Sequence, residues 1–495
     1  MKINEAKIIS VTESVCPVCL ARIPAARAER DGNVYLEKSC PEHGDFSCVL
    51  WRGRPYYQSW SRPKIPSRPP VCLTEVRGHT SSGGMSPTDV REHTSCGGKS
   101  SADAGEHSTS GGMSPFDDYR GCPYDCGLCP DHRQHSCTVL LEVTGRCNLG
   151  CPICFAAAGD APADPDIEQI EFWYRRILFA GGPYNIQLSG GEPTMRDDLP
   201  GIVALGIRLG FNFIQLNTNG LRLAADNGYL KELKAAGLKS VFLQFDGTRE
   251  DIYLKLRGRE ILAEKIAAIE HCAAHNIGVV LVPTLVPGVN TGNIGEIIRF
   301  ALEYAPAVRG VHFQPVSYFG RYTGIPSDQD RITIPEVIRE MESQTGGLID
   351  SGSFRPPGCE NALCSFHGNF ILMPGGKLRP WSGDSPGKCC PLPEKAEEGA
   401  DKARSFVSRF WSSPGGEGVS PPKGDCGCKD AFDDFLERFR THTFTVSGMA
   451  FQDAWNLDLE RLKDCCIHVM SGDGRLIPFC AYNLTSAEGM PLYRR

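Results

Sequence analysis

Cysteine spacing is the feature of this sequence that points most directly to chemistry. Of the 495 residues, 23 are cysteine, and many of them stand only a few positions apart. One short stretch carries three in a C-x3-C-x2-C pattern, namely Cys147, Cys151 and Cys154. Three thiolates at this spacing can hold three irons of a [4Fe–4S] cluster and leave the fourth iron open to a small-molecule ligand. The pattern therefore predicts a cluster that binds a second molecule.

A second loop has the same spacing and competes for that role. Cys122, Cys126 and Cys129 repeat the pattern, but Cys122 follows a polar insertion, whereas Cys147 follows an apolar run typical of a strand. Cys137 lies eight residues beyond Cys129 and would complete a set of four thiolates. We therefore predict a closed auxiliary [4Fe–4S] cluster at this set, with a structural zinc ion as the alternative.

Two pairs of candidate ligands near the N-terminus predict another metal site. Cys16 and Cys19 form a C-x2-C pair, and Cys40 is followed three residues later by His43. The paired knuckles resemble a rubredoxin or a zinc ribbon. A tetrahedral Cys3His site suits zinc and would stabilise a module too small to fold on its core alone. Iron is the other metal that thiolate-rich tetrahedra hold, and Cys48 is an alternative to His43 as the fourth ligand.

Cysteines towards the other end of the chain predict one more site, assembled from distant segments. Cys359 and Cys364 form a C-x4-C pair, and Cys465, Cys466 and Cys480 follow much later. We predict a second auxiliary cluster on Cys359, Cys364, Cys480 and one member of the adjacent pair. The alternative is a set of buried thiols that binds no metal.

Composition and charge narrow the class of protein. The formal net charge is −7, and no basic stripe offsets it, which argues against a nucleic-acid partner held by bulk positive charge. The first residues lack the apolar core of a secretory signal, and no window holds the roughly 18 consecutive apolar residues of a membrane span. We therefore expect a cytoplasmic protein, in which closely spaced cysteines indicate metal ligands or catalysis more often than disulfides.

The elements that must position these residues alternate between strand and helix from residue 138 to about 316. The hydrophobic pattern predicts strands at 138–144, 184–188, 211–216, 240–245, 278–284 and 310–316, and helices at 166–179, 226–236, 260–275 and 293–304. Six such units indicate an α/β fold of parallel strands and crossover helices, either a barrel or an open part of one. Chemistry in this architecture lies at the carboxyl ends of the strands, where the Cys147 loop falls.

Smaller modules flank the predicted barrel. We divide the chain into a ribbon-like module at 1–77, a low-complexity linker at 78–115, an auxiliary iron–sulfur segment at 116–137, the barrel at 138–316, and a C-terminal module at 317–495 with a flexible insertion at 382–429. The linker repeats a fourteen-residue unit rich in glycine and serine, which cannot bury a core. Metal binding by the repeated His79, His93 and His107 is the alternative.

Later strand ends carry motifs that fit the cluster loop. The second strand ends in Gly190, Gly191, Glu192 and Pro193, where glycines open the backbone and a carboxylate can meet an ammonium group. The third and fourth strands end near Asn219 and Asp246. In this order, after Cys154 and Phe155, the motifs make the chain similar to the radical SAM superfamily, whose fingerprint is this loop after the first strand of a partial, TIM-like (β/α)6 barrel.

The resemblance implies both a cofactor and a reaction. It assigns the first cluster to Cys147, Cys151 and Cys154, and contacts with S-adenosylmethionine (SAM) to Phe155, Gly190, Gly191, Glu192, Pro193, Asn219 and Asp246. It implies that an electron donor of low potential, such as ferredoxin or flavodoxin, drives cleavage of SAM to a 5′-deoxyadenosyl radical. That radical would abstract hydrogen from an unactivated carbon.

Four segments together are more specific than the superfamily: 16–44, 121–137, 147–155 and 473–483. They resemble the archaeal tetraether synthase group and its bacterial relatives, once described as pterin C-methylating enzymes. This resemblance favours Cys465 over Cys466 and implies carbon–carbon coupling of two lipid chains, with an auxiliary cluster that holds the first alkyl radical. A lipid substrate would bring the enzyme to the membrane surface as a peripheral protein. The alternative is a C-methyltransferase that acts on a pterin or another small molecule.

Overall fold

A computed structural model describes residues 7–69, 120–127, 129–159, 163–381, 393–414 and 431–494. The fourteen-residue repeat and the histidines at 79, 93 and 107 lie outside the described residues. Within them, a small N-terminal sheet and a set of C-terminal strands pack around a larger α/β unit.

The N-terminal module is an antiparallel sheet of four strands in sequence order: β1 (Lys7–Val15), β2 (Arg22–Arg30), β3 (Asn33–Cys40) and β4 (Gly44–Arg52). The turn from β1 to β2 holds Cys16 and Cys19, and the turn from β3 to β4 holds His43. In a meander, alternate turns lie at the same end of the sheet, so these two turns meet. A two-residue strand, β5 (Lys64–Ile65), follows the module.

Six parallel strands form the centre of the larger sheet, and they pair in sequence order. They are β6 (Thr138–Thr144), β7 (Asn185–Gly190), β8 (Ile214–Thr218), β9 (Ser240–Gln244), β10 (Gly278–Val282) and β12 (Val308–Pro315), with the short β11 (Thr284–Leu285) paired beside β12. The six predicted strands are therefore confirmed, with ends that shift by a few residues. Their parallel order is the one that crossover helices produce.

Helices connect the strands and cover the outer face of the sheet. They are α1 (Ile167–Phe179), α2 (Leu199–Arg208), α3 (Leu221–Ala225), α4 (Asn227–Ala235), α5 (Glu250–Arg257), α6 (Leu262–Ala274), α7 (Ile294–Glu303) and α8 (Ile334–Thr345). The four predicted helices are confirmed. The start of α1 is fixed by Asp166, whose carboxylate accepts a hydrogen bond from the backbone N–H of Gln169.

The two faces of the parallel strands differ in exposure. Leu188, Val241 and Val311 face the helices and are 0% exposed. Their sequence neighbours Gln187 and His312, which point to the opposite face, are partly exposed. Because side chains alternate along a strand, the inner face therefore borders an accessible space.

The sheet is strongly curved around that space. The rings of Phe242 on β9 and His312 on β12 lie 5.4 Å apart, although β10 runs between their strands. In a flat sheet, strands two apart are separated by about 9.5 Å. The inner face is therefore concave, as the predicted partial barrel requires.

C-terminal strands extend the sheet at both edges. The elements are β13 (Ser365–Leu372), β14 (Leu378–Pro380), β15 (Glu394–Lys395), α9 (Ala396–Phe410), α10 (Ala431–Thr441), β16 (Thr443–Met449), α11 (Leu459–Lys463), β17 (Ile467–Met470), β18 (Leu476–Pro478) and α12 (Phe479–Tyr482). Strand β16 pairs in parallel with β12, and β17 pairs in parallel with β6. The C-terminal module thus holds both flanks of the six-stranded core.

The predicted flexible insertion at 382–429 needs correction. Its middle part forms α9, a helix of 15 residues that buries Ala396, Ala400 and Phe410. The buried residues recur along one face, while lysine, glutamate and arginine dominate the rest of the helix and hid this pattern. The sequence also predicts a helical stretch around 451–464, but only Leu459–Lys463 is helical. No helix among the described residues has the length and apolarity to cross a bilayer.

Candidate active site and metal centres

The loop with Cys147, Cys151 and Cys154 begins three residues after β6 ends, at the carboxyl edge of the barrel. Arg321 anchors it from the C-terminal side. The Arg321 guanidinium donates to the carbonyl oxygen of Cys151 at 3.2 Å and to that of Ala158, and its backbone pairs with Cys154 through bonds of 2.9 and 3.0 Å. The anchoring contacts go to the loop backbone, so the three thiols are left available as ligands.

Two glycines bring the end of β7 directly against the entrance to this loop. The backbone N–H of Gly191 donates to Thr144 O, and that of Glu192 donates to Arg146 O, both at 2.8 Å. A methyl group at Gly190 would overlap Thr144 O, and one at Gly191 would overlap Arg146 O. Gly190 also has φ +123°, which side chains rarely adopt. Only glycine therefore permits this approach.

Glu192 is almost completely buried, and its carboxylate joins neighbouring segments of the rim through hydrogen bonds. Its carboxylate accepts hydrogen bonds from Thr194 Oγ1 at 2.6 Å, Thr218 Oγ1 at 2.7 Å and the backbone N–H of Asn219 at 2.7 Å. Burial, with a contribution from the Glu192 charge, raises the pKa of Cys147 to about 11. The sequence suggested that this carboxylate meets an ammonium group, and the structure shows that it also ties the end of β7 to the end of β8.

Asn219 and Asp246 lie at the same edge as the loop. Asn219 donates through Nδ2 to Asn148 Oδ1 within the cysteine loop at 2.7 Å. Asp246 is fully buried and forms a two-bond ion pair with Arg257, with both contacts at 2.7 Å. The structure thus brings the predicted SAM-contacting motifs to one rim. Three thiols on a loop at this rim are a donor set that fits a [4Fe–4S] cluster with one open iron.

The inner face below this rim is lined by amides. Gln187 donates to Gln215 Oε1 at 2.8 Å, and Gln215 donates to Ser240 Oγ at 2.9 Å, which forms a ladder across three strands. Gln244 and Gln314 continue this polar lining at partly exposed positions nearer the rim.

Aromatic rings close the opposite end of the interior. Trp411 follows α9 and stacks on Phe242 with ring centroids 5.7 Å apart. His312 lies beside both rings, and its Nδ1 is 2.9 Å from Ser447 Oγ. Burial lowers the pKa of His312 to about 4, so its ring is neutral at pH 7.

The N-terminal residues Cys16, Cys19, Cys40 and His43 form one group, as predicted from the sequence. Their ligand atoms all lie within 4.8 Å of one another, and His43 Nδ1 is 3.7 Å from Cys16 Sγ and 3.5 Å from Cys40 Sγ. A tetrahedral zinc ion separates sulfur and nitrogen ligands by about 3.6 Å, so the group fits one ion. The hydrogen bond from His43 lowers the pKa of Cys40 to about 6. Cys48 packs elsewhere, with Cys122 and Val15.

The auxiliary loop supplies three cysteines to one small, partly open space. Cys122, Cys126 and Cys129 line it together with His132, Lys463 and three other residues, Gly127, Leu462 and Pro478. The neighbouring Cys122, together with burial, holds the pKa of Cys126 well above its ordinary value. A thiol set this close fits a shared metal centre.

Cys137 does not join that set, which corrects the predicted four-thiolate site. Its Sγ lies 3.1 Å from Cys466 Sγ, and Cys466 Sγ lies 3.3 Å from Cys359 Sγ. All three are buried, and Cys359 donates to the buried carboxylate of Glu360 at 2.7 Å. Burial and the neighbouring Cys359 raise the pKa of Glu360 to about 8. The three thiols form another group of metal-binding type, and the carboxyl group of Glu360 lies beside it.

The predicted C-terminal cluster also divides differently. Burial and the charges of Cys480 and Cys364 hold the pKa of Cys465 well above its ordinary value, so these three thiols interact electrostatically. Cys359 belongs instead with Cys466. Adjacent residues in an extended segment point in opposite directions, which is why Cys465 and Cys466 enter different sets. The sequence left open whether Cys465 or Cys466 is the ligand, and the structure places both in thiol groups, but in different ones.

Sequence reasoning missed His132, Glu360 and the inner amides, and it named Cys466 only as the alternative to Cys465. The amides had a usable signal, because Gln187, Gln215 and Gln244 alternate with apolar residues inside the predicted strands. His132 stands three residues after Cys129, and Glu360 directly follows Cys359, but a single histidine or glutamate beside a cysteine is a weak signal.

Family comparisons agree with this geometry. Residues 141–301 match the model of the radical SAM superfamily, and residues 8–52 match the HMPTM N-terminal zinc ribbon domain. The superfamily match runs from within β6 to α7 and includes the cysteine loop and the rim motifs described above. The chain is therefore a radical SAM enzyme with an N-terminal metal ribbon.

A curated relative spans nearly the whole chain. The 7,8-dihydro-6-hydroxymethylpterin dimethyltransferase of Methanocaldococcus jannaschii is 34% identical over 512 aligned positions, which cover 95% of this chain and 93% of the relative. The chain belongs to the same family within the radical SAM superfamily.

Two further comparisons cover only part of the chain. A probable GTP 3′,8-cyclase of Methanothermobacter marburgensis is 30% identical and covers 50% of this chain and 85% of the relative. The crystal structure of Streptococcus suis SuiB bound to precursor peptide SuiA aligns with a TM-score of 0.36 at 16% identity, over 43% of this chain and 46% of that chain.

Proposed function

We propose that this enzyme abstracts a hydrogen atom from a carbon of a reduced pterin-like heterocycle and methylates that carbon. The methyl group would come from a second molecule of SAM: the new carbon–methyl bond replaces the methyl–sulfur bond of that SAM, S-adenosylhomocysteine leaves, and the low-potential donor supplies the additional electron. In this proposal Cys147, Cys151 and Cys154 hold the SAM-binding cluster at the rim. When bound, the cluster and SAM supply a hydrogen-abstracting radical after transfer of one electron from a low-potential donor. The residues of the chain then have to bind, orient and isolate the substrate.

The polar inner face of the barrel is the observation that carries this proposal. At the inward positions, Gln187, Asn217, Gln244 and Gln314 present amides that are partly exposed. Amide groups pair with the adjacent donors and acceptors at the edge of a planar heterocycle, as Asn and Gln do with adenine. A long alkyl chain would need an apolar groove, and amides that it covered would lose their hydrogen bonds with water.

The relative from M. jannaschii supports the same choice, because its name describes methyl transfer to a dihydropterin. The lipid-coupling reaction predicted from the sequence stays a prediction. It uses the same rim and differs in the substrate.

Product analysis tests the proposal. Protein reconstituted with iron and sulfide under anaerobic conditions is incubated with SAM, dithionite and 7,8-dihydro-6-hydroxymethylpterin. We expect 5′-deoxyadenosine and a pterin that has gained one or two methyl groups by mass spectrometry. Unchanged pterin, together with cross-linked lipids of doubled chain length in an expressing strain, would refute the pterin proposal in favour of lipid coupling.

A substitution at Gln314 tests the role of the amide lining. Its side chain forms no hydrogen bond with another described residue, so Gln314→Leu removes an amide without breaking a protein contact. Loss of one buried hydrogen bond to substrate costs about 1–3 kcal/mol, which raises the KM for the pterin roughly 5-fold to 150-fold. SAM cleavage without substrate should persist. Gln329→Leu, at an exposed position outside the barrel, is the matched control, and an equal effect in both variants would contradict the assignment.

A further inference from the structure

The set formed by Cys122, Cys126 and Cys129 offers three thiols to a metal centre, whereas a closed [4Fe–4S] cluster takes four protein ligands. The fourth thiol that the sequence suggested, Cys137, contacts Cys466 instead. The residues that line the space beside the three cysteines therefore decide what the fourth ligand is.

His132 is the candidate among those lining residues. The described residues that share the space with the cysteines are Gly127, His132, Leu462, Lys463 and Pro478. Lys463 forms an ion pair with Glu460 at 2.9 Å and is a cation without a lone pair to donate. Gly127, Leu462 and Pro478 carry no ligating side chain. Of the described residues that line this space beside the three cysteines, His132 alone has a side chain with a ligand atom to add.

The hydrogen bonding of His132 selects the ring atom that is free to ligate. The side chain is 3% exposed, and its Nε2 lies 2.8 Å from the carbonyl oxygen of Cys465. A carbonyl oxygen only accepts, so Nε2 carries the hydrogen and the lone pair of the neutral ring is on Nδ1. Metal-bound histidines commonly donate their other ring N–H to a backbone carbonyl in this way.

We propose that His132 is the fourth ligand of the auxiliary cluster, bound through Nδ1 beside the thiolates of Cys122, Cys126 and Cys129. The site would then be a Cys3His iron–sulfur centre with the spacing C-x3-C-x2-C-x2-H. Replacement of a thiolate by a neutral imidazole removes one negative charge from the cluster environment and raises its reduction potential. Lys463 adds a positive charge at the same wall and acts in the same direction.

Spectroscopy of the reduced cluster tests the ligand directly. The SAM cluster is first removed by changing Cys147, Cys151 and Cys154 to alanine in the full chain, and no SAM is added. A nitrogen nucleus bound to iron produces a hyperfine coupling in pulsed paramagnetic resonance. We expect this coupling in the parent variant and expect it to change when the protein is grown with ¹⁵N-labelled histidine.

The added substitution His132→Cys separates ligation from a structural role. A thiolate can replace the imidazole, so we expect an unchanged iron content, loss of the nitrogen coupling and a midpoint potential shifted to a more negative value. His135→Cys is the matched control, because His135 lies in the same segment and contacts Ser67 and Arg68 instead of the cysteines. The control should keep both the coupling and the potential.

Two results would overturn the proposal: no nitrogen coupling in the parent variant, or a coupling that persists in His132→Cys. If the variant without the SAM cluster does not fold, the same comparison is made on otherwise unaltered protein without SAM. The outcome is independent of the substrate, so the pterin assay and this measurement can fail separately.

Discussion

At the scale of single residues, the geometry of the rim depends on two glycines, which have no side chain to obstruct a close backbone contact. Gly190 and Gly191 allow the end of β7 to touch the chain that enters the cysteine loop. A misplacement of about 1 Å at a reacting centre can reduce the rate roughly a hundredfold. The position of the cysteine loop therefore depends on Gly190 and Gly191.

We expect Gly191→Ala to reduce SAM cleavage by about a hundredfold, because the new methyl group displaces Arg146 and with it Cys147. Formation of 5′-deoxyadenosine is the measurement. Gly201→Ala is the control: Gly201 lies in α2 with nothing within 4 Å of the added methyl group, so its activity should be unchanged. Equal activity of both variants would show that the close approach is dispensable.

The cysteines show what the sequence can reveal at this scale and what it cannot. Spacing grouped Cys147 with Cys151 and Cys154, and Cys16 with Cys19, because residues of one short loop are necessarily close. Spacing did not predict the partners of Cys137 and Cys359. Both contact Cys466, which lies 329 positions after Cys137 and 107 positions after Cys359, and these contacts depend on the strand order of the whole sheet.

At the scale of elements, α9 and the residue that follows it close one end of the barrel. Trp411 stacks on Phe242 and packs near His312, and the backbone at 411–413 leaves no room for a side chain at Gly278. This segment shuts the amino ends of the strands, so the accessible interior opens towards the rim.

Removal of the Trp411 ring should destabilise the fold and open the end of the barrel at the amino ends of the strands. For Trp411→Ala we expect a loss of about 3 kcal/mol in the free energy of unfolding and a higher KM for substrate, because a large cavity replaces the ring. Trp411→Phe keeps an aromatic ring, so its free energy of unfolding should fall by less than half as much as that of Trp411→Ala. Denaturant unfolding and pterin kinetics are the measurements. Loss of equal size in the two variants would argue against a packing role.

The pattern of hydrophobic residues explains which elements could be predicted. The strands β6 and β10 are apolar on both faces over much of their length and are bounded by turn residues, which is a strong signal. Helix α9 has a short apolar face and lies between segments rich in proline and glycine, so composition favoured a linker. The contact with the barrel that stabilises it is tertiary.

At the scale of the whole molecule, the metal ribbon is fastened to the C-terminal module by buried polar contacts. Arg27 on β2 donates to the buried carboxylate of Asp458 at 2.7 Å, and Lys38 on β3 donates to Ala454 O at 2.7 Å. Burial lowers the pKa of Lys38 to about 8. Asp458 caps the start of α11, and Arg461 on that helix donates to Cys364 Sγ at 3.4 Å, so the ribbon supports the surroundings of the thiols of Cys364, Cys465 and Cys480.

Loss of the ribbon metal should therefore weaken the rest of the protein. We expect Cys40→Ala to release one metal ion, expose the ribbon to proteolysis, and lower the midpoint of barrel unfolding, because Asp458 loses its buried partner. Metal analysis, limited proteolysis and calorimetry are the measurements. Cys272→Ala removes an equally buried thiol from α6 and should keep the metal. An unchanged barrel in a metal-free ribbon would show that the two units are independent.

The modular plan was predictable from the order of motifs, but the manner of assembly was not. The sequence placed a ribbon before the barrel and cysteines after it. It could not show that β16 and β17 would take opposite edges of the same sheet, because the choice of edge depends on packing between segments that are far apart in the chain.

The contact between Cys137 and Cys466 has a consequence for biosynthesis. These residues are separated by 329 positions, so the second is synthesised long after the first. At about 5–20 residues per second, a ribosome needs roughly 15 to 65 s to cover that distance. During this time Cys137 is present without the partner that completes its set. A metal centre on this set could then form only after Cys466 has been synthesised, and until then the cell would have to protect the thiol of Cys137.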